Sequence, residues 1–145
     1  MIPITNTELF EWTDPDDEIT YCFRPKTGAI ENKMLRIQNR YFNEVYRSKV
    51  RELQNVLKKY KNDNDDLSPE DEDKTQVLRF EILTSDSEFH AEIVDLFLAD
   101  WKGELAPEFP KTGKPSDCFT KEDNRRLANI AMDQNKLTIE EKKSL

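Results

Sequence analysis

Few residues in this 145-residue chain have reactive chemistry to offer: a single histidine, His90, two cysteines, Cys22 and Cys118, and a wealth of carboxylates. A nucleophilic triad or a Cys–His pair would have to be built on His90. That residue lies in SEFHAEIV, a stretch of helical character with no glycine-rich elbow and no cysteine close in sequence. A partly exposed structural histidine is the expectation. Transition-metal sites draw on several His or Cys ligands, and this chain supplies few. With 3 glycines in all, it contains neither GxGxxG nor GxxxxGK, so no phosphate-cradling loop is present. The acidic run NDNDDLSPEDEDK (Asn62 to Lys74) invites comparison with a calcium loop. Counted from Asp63, however, the fifth position is Leu67, the sixth is Ser68 where Gly is needed, and the twelfth is Lys74 where Glu is needed. Carboxylates scattered along polar stretches mark solvation, and no two of them stand out as an acid and base pair. The expectation is a protein with no catalytic residues, no metal and no cofactor.

The elements that carry these residues follow from composition and periodicity. The length fits one domain, residues 1–145. Apolar and charged residues each make up 36%, which points to a small folded unit with polar loops and a soft C-terminal end. A net charge of -8 works against generic binding to nucleic acid or to anionic membranes. MIPITNTELF has neither the basic flank nor the apolar core of a signal peptide, and no apolar run approaches a membrane span. Together with two widely separated cysteines, this predicts a cytoplasmic protein with reduced thiols.

LFEW (Leu9 to Trp12) and ITYCF (Ile19 to Phe23), joined by TDPDDE, predict a β-hairpin over residues 1–23. Alternation places Ile19, Tyr21 and Phe23 on one side of it and Thr20 and Cys22 on the other. A helix is predicted over 24–61. Its apolar residues Ile30, Met34, Ile37, Tyr41, Val45, Leu53, Leu57 and Tyr60 recur in steps of three and four, with one imperfect step between Val45 and Leu53. Residues 62–74 read as a solvated acidic loop. Residues 75–102 read as two helical pieces, the second capped near Ser85 with Glu88 three residues on and running through Phe89, Phe97 and Trp101. Prolines at 107, 110 and 115 predict an irregular stretch from Gly103 to Phe119. Thr120 then caps a last helix, with Asp123 three residues on, and residues 133–145 form the soft tail. The fold class is mainly α (α+β): a small N-terminal hairpin, a long helix and about three further helices.

The long helix is basic in an acidic protein. Arg36, Arg40, Arg47, Lys49, Arg51 and Lys58 are among its cations, whereas Asn62 to Pro110 holds only Lys74, Arg79 and Lys102 against many acids. Cations along a helix can track phosphates, so a small nucleic-acid-associated regulator using residues 24–61 is one reading. The alternative is that the opposite charges face each other within the fold or between subunits. Tyr41, Phe42, Tyr46 and Tyr60 also make this helix aromatic, and Phe42 and Tyr46 lean off its main apolar stripe. Such a face suits self-association or a groove for a partner segment.

FRPKTGAIENKML (Phe23 to Leu35), DWKG (Asp100 to Gly103), GKP (Gly113 to Pro115) and FTKEDNRRLAN (Phe119 to Asn129) occur in an order that resembles the small tail assembly chaperones of long-tailed bacteriophages. The resemblance implies binding without catalysis, in the host cytoplasm. Such a chaperone coats the long helical tape-measure protein and helps recruit tail-tube subunits, with self-association possible and no membrane involved. A tape-measure helix left bare exposes a long apolar stripe, which many copies of a small acidic partner would cover and keep dispersed. On this expectation the partner-binding residues are Tyr41, Phe42, Tyr46 and Phe97, with Trp101 bracing the turn after its helix.

Overall fold

A computed structural model of the chain describes residues 9–60 and 66–134. The stretch expected to hold a frayed tail, from residue 135 on, and the first part of the acidic loop lie outside the described residues. The protein is mainly α, 63% helical, with a small three-stranded antiparallel sheet. Two compact units emerge: one combines the residues up to Leu35 with those from His90 onward, and the other is Arg36–Phe89.

The first unit holds the sheet, in the order β1 (Phe10–Thr13), β2 (Thr20–Phe23) and β3 (Leu98–Lys102). A β1–β2 hairpin forms, with Phe10 opposite Phe23 and Trp12 opposite Tyr21, but both strands begin one residue later than predicted. Tyr21, Cys22 and Phe23 are all buried, so the expected alternation does not separate a buried from an exposed face. Its turn is closed by short carboxylates: Asp14 accepts from the Asp16 N–H and Asp17 from the Ile19 N–H, each at 2.9 Å. β3 departs from the sequence expectation, which placed LADWK in a helix. Phe97 and Trp101 stand four apart, a helical step, yet Leu98 to Lys102 pairs antiparallel with β2, with Trp101 opposite Tyr21. Pairing with a strand some eighty residues earlier outweighs local periodicity here, because it completes a sheet that two strands alone would leave marginal.

Phe23, Ile93, Val94, Phe97 and Leu98 are the largest fully buried side chains. Each contributes about 1.5–3 kcal/mol by leaving water. The last helix, α4 (Lys121–Met132), adds Leu127, Ala128 and Ala131 to the same core. Thr120 caps it as expected, accepting from the Asp123 N–H at 3.2 Å. A 3-10 turn at Pro115–Cys118 is pinned by Asp95, whose two carboxylate oxygens accept from the Ser116 N–H and hydroxyl at 2.9 Å each. Cys22, on the second face of β2, is buried beside Glu11, and burial pushes its thiol pKa up. Cys22 and Cys118 are both free thiols.

The long basic stretch is shorter as a helix than predicted. It begins at Gly28 and runs as α1 (Gly28–Asn39), a π-helical segment (Arg40–Tyr46) and α2 (Arg47–Leu57). Arg24 and Lys26 precede it and serve the first unit. Arg24 donates from its backbone N–H to the Phe97 carbonyl at 2.6 Å and from its guanidinium to those of Leu96 and Leu98 at 3.0 and 3.2 Å. Lys26 donates to the Met132 carbonyl. Both cations thus reach carbonyls at helix C-termini, where positive charge is favoured, and Arg24 also holds that of Leu98 at the start of β3.

Two predicted pieces over 75–102 prove to be one helix, α3 (Pro69–Phe97). The expected cap at Ser85 is absent, since Ser85 is buried in mid-helix. The working cap is Ser68, inside the stretch read as a loop: its hydroxyl accepts from the Asp71 N–H at 3.2 Å, and its carbonyl from the Glu72 N–H at 2.8 Å. Pro69 comes next, at the first helical position, and Glu70, Asp71 and Glu72 lie in the first turn, where the helix dipole favours negative charge.

Candidate partner-binding site

The second unit is an antiparallel pair of helices. Three contacts set its register: Tyr41 meets Phe89 with ring centroids 5.9 Å apart, the Lys49 ammonium meets Glu81 at 2.7 Å, and the Tyr60 hydroxyl donates to Asp71 at 2.7 Å. As one helix advances, the other retreats. Val56, Thr75, Leu78 and Ser85 are buried along the seam. The acidic start of α3 therefore answers the basic end of α2. Asp71 accepts from Tyr60 and lies 3.5 Å from the Lys59 ammonium, and the Tyr60 hydrogen bond, ahead of the Lys59 charge, holds its carboxyl below the usual value. Ser68 completes the corner by donating its N–H to the Tyr60 hydroxyl at 3.0 Å.

The π-helical segment borders the place where the sequence periodicity is imperfect. Its signature is the Arg47 N–H bonded to the Phe42 carbonyl, five residues back. Within this segment Tyr41 meets Phe89 of α3, while Phe42 and Tyr46 are exposed. Those two rings stack at 5.9 Å with an interplanar angle of 18°, and they stay 61% and 42% exposed. Together with Tyr41, Phe89, Gln38, Asn39, Asn43, Ser85 and Asp86 they line a cleft of about 570 Å³. The Arg40 guanidinium lies 4.9 Å from the Tyr41 ring centroid, on which it makes a cation–π contact. Past the stacked pair a second, shallower groove continues along Phe42, Tyr46, Val50, Arg47, Arg51 and Gln54.

This arrangement can hold an apolar side chain between aromatic walls, with polar amides at the rim to orient a backbone or polar neighbour. Among the described residues no group of His, Cys, Asp or Glu is placed to hold a metal ion. His90 is buried, 8% exposed, and not partly exposed as expected. Among the described residues no helix is long and apolar enough to cross a membrane.

The sequence-predicted residues divide. Tyr41, Phe42 and Tyr46 come together at the cleft. Phe97 does not join them: it is fully buried in the first unit and has no surface to offer. Trp101 is 7% exposed and also belongs to that unit's core, against Phe109 at 4.7 Å and Phe119 at 5.5 Å. It does brace the turn after β3, since its indole N–H donates to the Pro107 carbonyl at 2.6 Å. Phe89 lines the cleft without having been expected there. The antiparallel charge match carries its signal, because that pairing brings the residue opposite Tyr41.

Neither protein-family models, nor curated proteins, nor solved structures give a match to this chain.

Proposed function

We propose that this protein is a non-catalytic assembly chaperone whose helical pair holds an amphipathic helix of a client protein, as a tail assembly chaperone of a long-tailed bacteriophage would hold the tape-measure protein. The observation that carries the reading is the stacked, exposed Phe42–Tyr46 pair at the mouth of an aromatic cleft. Two neighbouring aromatic rings left in water cost free energy, and interface anchors are drawn from such residues. A π-helical segment supports the same reading, because such insertions concentrate at functional places. On this proposal the site is Tyr41, Phe42, Tyr46 and Phe89, the client's apolar stripe fills the cleft, and the net charge of -8 keeps the coated client dispersed in the host cytoplasm. Recruitment of tail-tube subunits would be a second step, after the client is covered.

A nucleic-acid-associated regulator is the second reading, favoured by the exposed cations Arg47, Arg51 and Lys58 on α2 and just beyond its end. It is weakened by the loss of Lys49 and Lys59 to Glu81 and Asp71, and of Arg24 and Lys26 to helix ends. Co-expression with a long, helix-rich tape-measure protein separates the two. The chaperone reading expects the client in the soluble fraction only when this chain is present, with the pair co-purifying. A client soluble alone and never retained, with this chain eluting from heparin only at high salt, would favour nucleic acid instead.

A further inference from the structure

The second unit has another apolar face besides the cleft. On α3, Val77, Phe80 and Leu83 recur every three residues and are 54%, 68% and 67% exposed. That spacing sets Phe80 and Leu83 on the side away from the buried Thr75, Leu78 and Ser85, with Val77 at its edge, where it lines a groove with Lys49 and Glu52 of α2. The face is bordered by acids: exposed Asp73 stands one turn before Val77, exposed Glu72 beside it, and exposed Glu88 one turn after Thr84. Exposed Lys74 and Arg79 stand among them, Lys74 one turn before Val77, so acids outnumber bases along the face without excluding them.

The groove on α1 and α2 has the opposite character. It is apolar at Phe42, Tyr46 and Val50 and bordered by the exposed cations Arg47 and Arg51, with Lys58 further along the same side. From the unlike charges bordering two exposed apolar surfaces we infer that the α3 face of one copy docks into the Phe42–Val50 groove of a second copy, so that the protein self-associates head to tail. Charge selects this pairing over the symmetric ones. Two α3 faces brought together would set acids against acids, and two grooves would set Arg47 and Arg51 against their equivalents. Only the unlike pairing covers apolar surface on both sides while opposing unlike charges.

A head-to-tail contact leaves one free face at each end, so copies add until a ring closes or a filament continues. The inference concerns the chain alone and does not need a client. It does share Phe42 and Tyr46 with the client site, so a client helix and a second copy compete for one groove.

Complementation tests it directly. Arg47→Glu with Arg51→Glu disables the groove and keeps the α3 face, while Phe80→Ser with Leu83→Ser disables the α3 face and keeps the groove. All four positions lie on exposed or partly exposed surface, and circular dichroism establishes that each variant is folded. In sedimentation velocity the unaltered chain should show species growing with concentration beyond the 17.1 kDa monomer, and each variant alone should stay monomeric. An equimolar mixture of the two should give a 1:1 dimer that goes no further. Unaltered protein that stays monomeric throughout would overturn the inference. So would a closed dimer indifferent to the arginine substitutions, which would mark a symmetric contact. Client capture is read separately by co-purification, so either idea can fail without the other.

Discussion

Replacing Phe42 and Tyr46 together by Ala should abolish client binding and leave the fold nearly untouched. The rings are 61% and 42% exposed, and the contact they chiefly make is their mutual stack at 5.9 Å. Losing an aromatic pair costs about 0.5–1.5 kcal/mol. The covered faces of the two rings add about 1–2 kcal/mol and each Ala returns up to about 0.7 kcal/mol of helix propensity, so the net change should stay within about 2 kcal/mol, or about 8 °C in Tm. Phe97→Ala provides the contrast. That side chain is fully buried in the first unit, and its removal should cost about 3–5 kcal/mol. Binding should respond in the opposite order. A single anchoring ring is worth about 2 kcal/mol or more, at least about 30-fold in Kd, so the surface double variant should lose capture. The assay is a thermal melt tracked by circular dichroism, paired with retention of co-expressed client on an affinity tag. A double variant that melts as low as Phe97→Ala would refute the reasoning, because it would place both rings in a core.

The same geometry sets three further outcomes. Asp95→Ala strips the partner from two donors of buried Ser116, and should cost about 2–3 kcal/mol, read as a lower urea midpoint. Tyr21 is pushed up to about 12, first by burial and then by Asp17, so a spectrophotometric titration should find a phenol ionising near 12 that is lost in Tyr21→Phe. Because its folded value exceeds the unfolded 10.0, its contribution is complete below pH 10 and is lost as pH rises towards 12. Asp71 has the reverse sign: its depressed carboxyl supports the helical pair above the unfolded value of 3.8, and that support is lost as pH falls through its lower folded value. Tyr60→Phe removes the largest cause and should shrink this acid-limb effect in a pH series of melts.

Local signals read well where local chemistry decided the structure. A hairpin was legible from its strand-forming residues and Asp-rich turn, though not its bounds or its two-sided burial, and α4 was legible from the Thr120 cap. β3 was not, because DWK lies at a helical step from Phe97 and only its long-range pairing with Tyr21 makes it a strand. The Ser68–Pro69 helix start was legible in principle, but the charge of the surrounding acids suggested a loop, although acids in a first turn favour a helix. At the candidate site, the stacked pair could be found from spacing, since Phe42 and Tyr46 fall off the main stripe. The exclusion of Phe97 could not. A Phe at helical spacing reads the same whether it faces a core or a partner, and only the packing of β2, β3 and α4 around it decides. The π-helical segment left a trace as the imperfect step between Val45 and Leu53.

The most direct measurement places a photo-crosslinking benzophenone side chain at position 42 and, separately, at position 105, where Leu105 is 88% exposed in the first unit. Each is co-expressed with the tape-measure client and irradiated. If the cleft holds the proposed client helix, position 42 gives a strong adduct with the combined mass of this chain and the tape-measure protein, and position 105 gives little. Equal yields from both positions, or an adduct from 105 alone, would contradict the account.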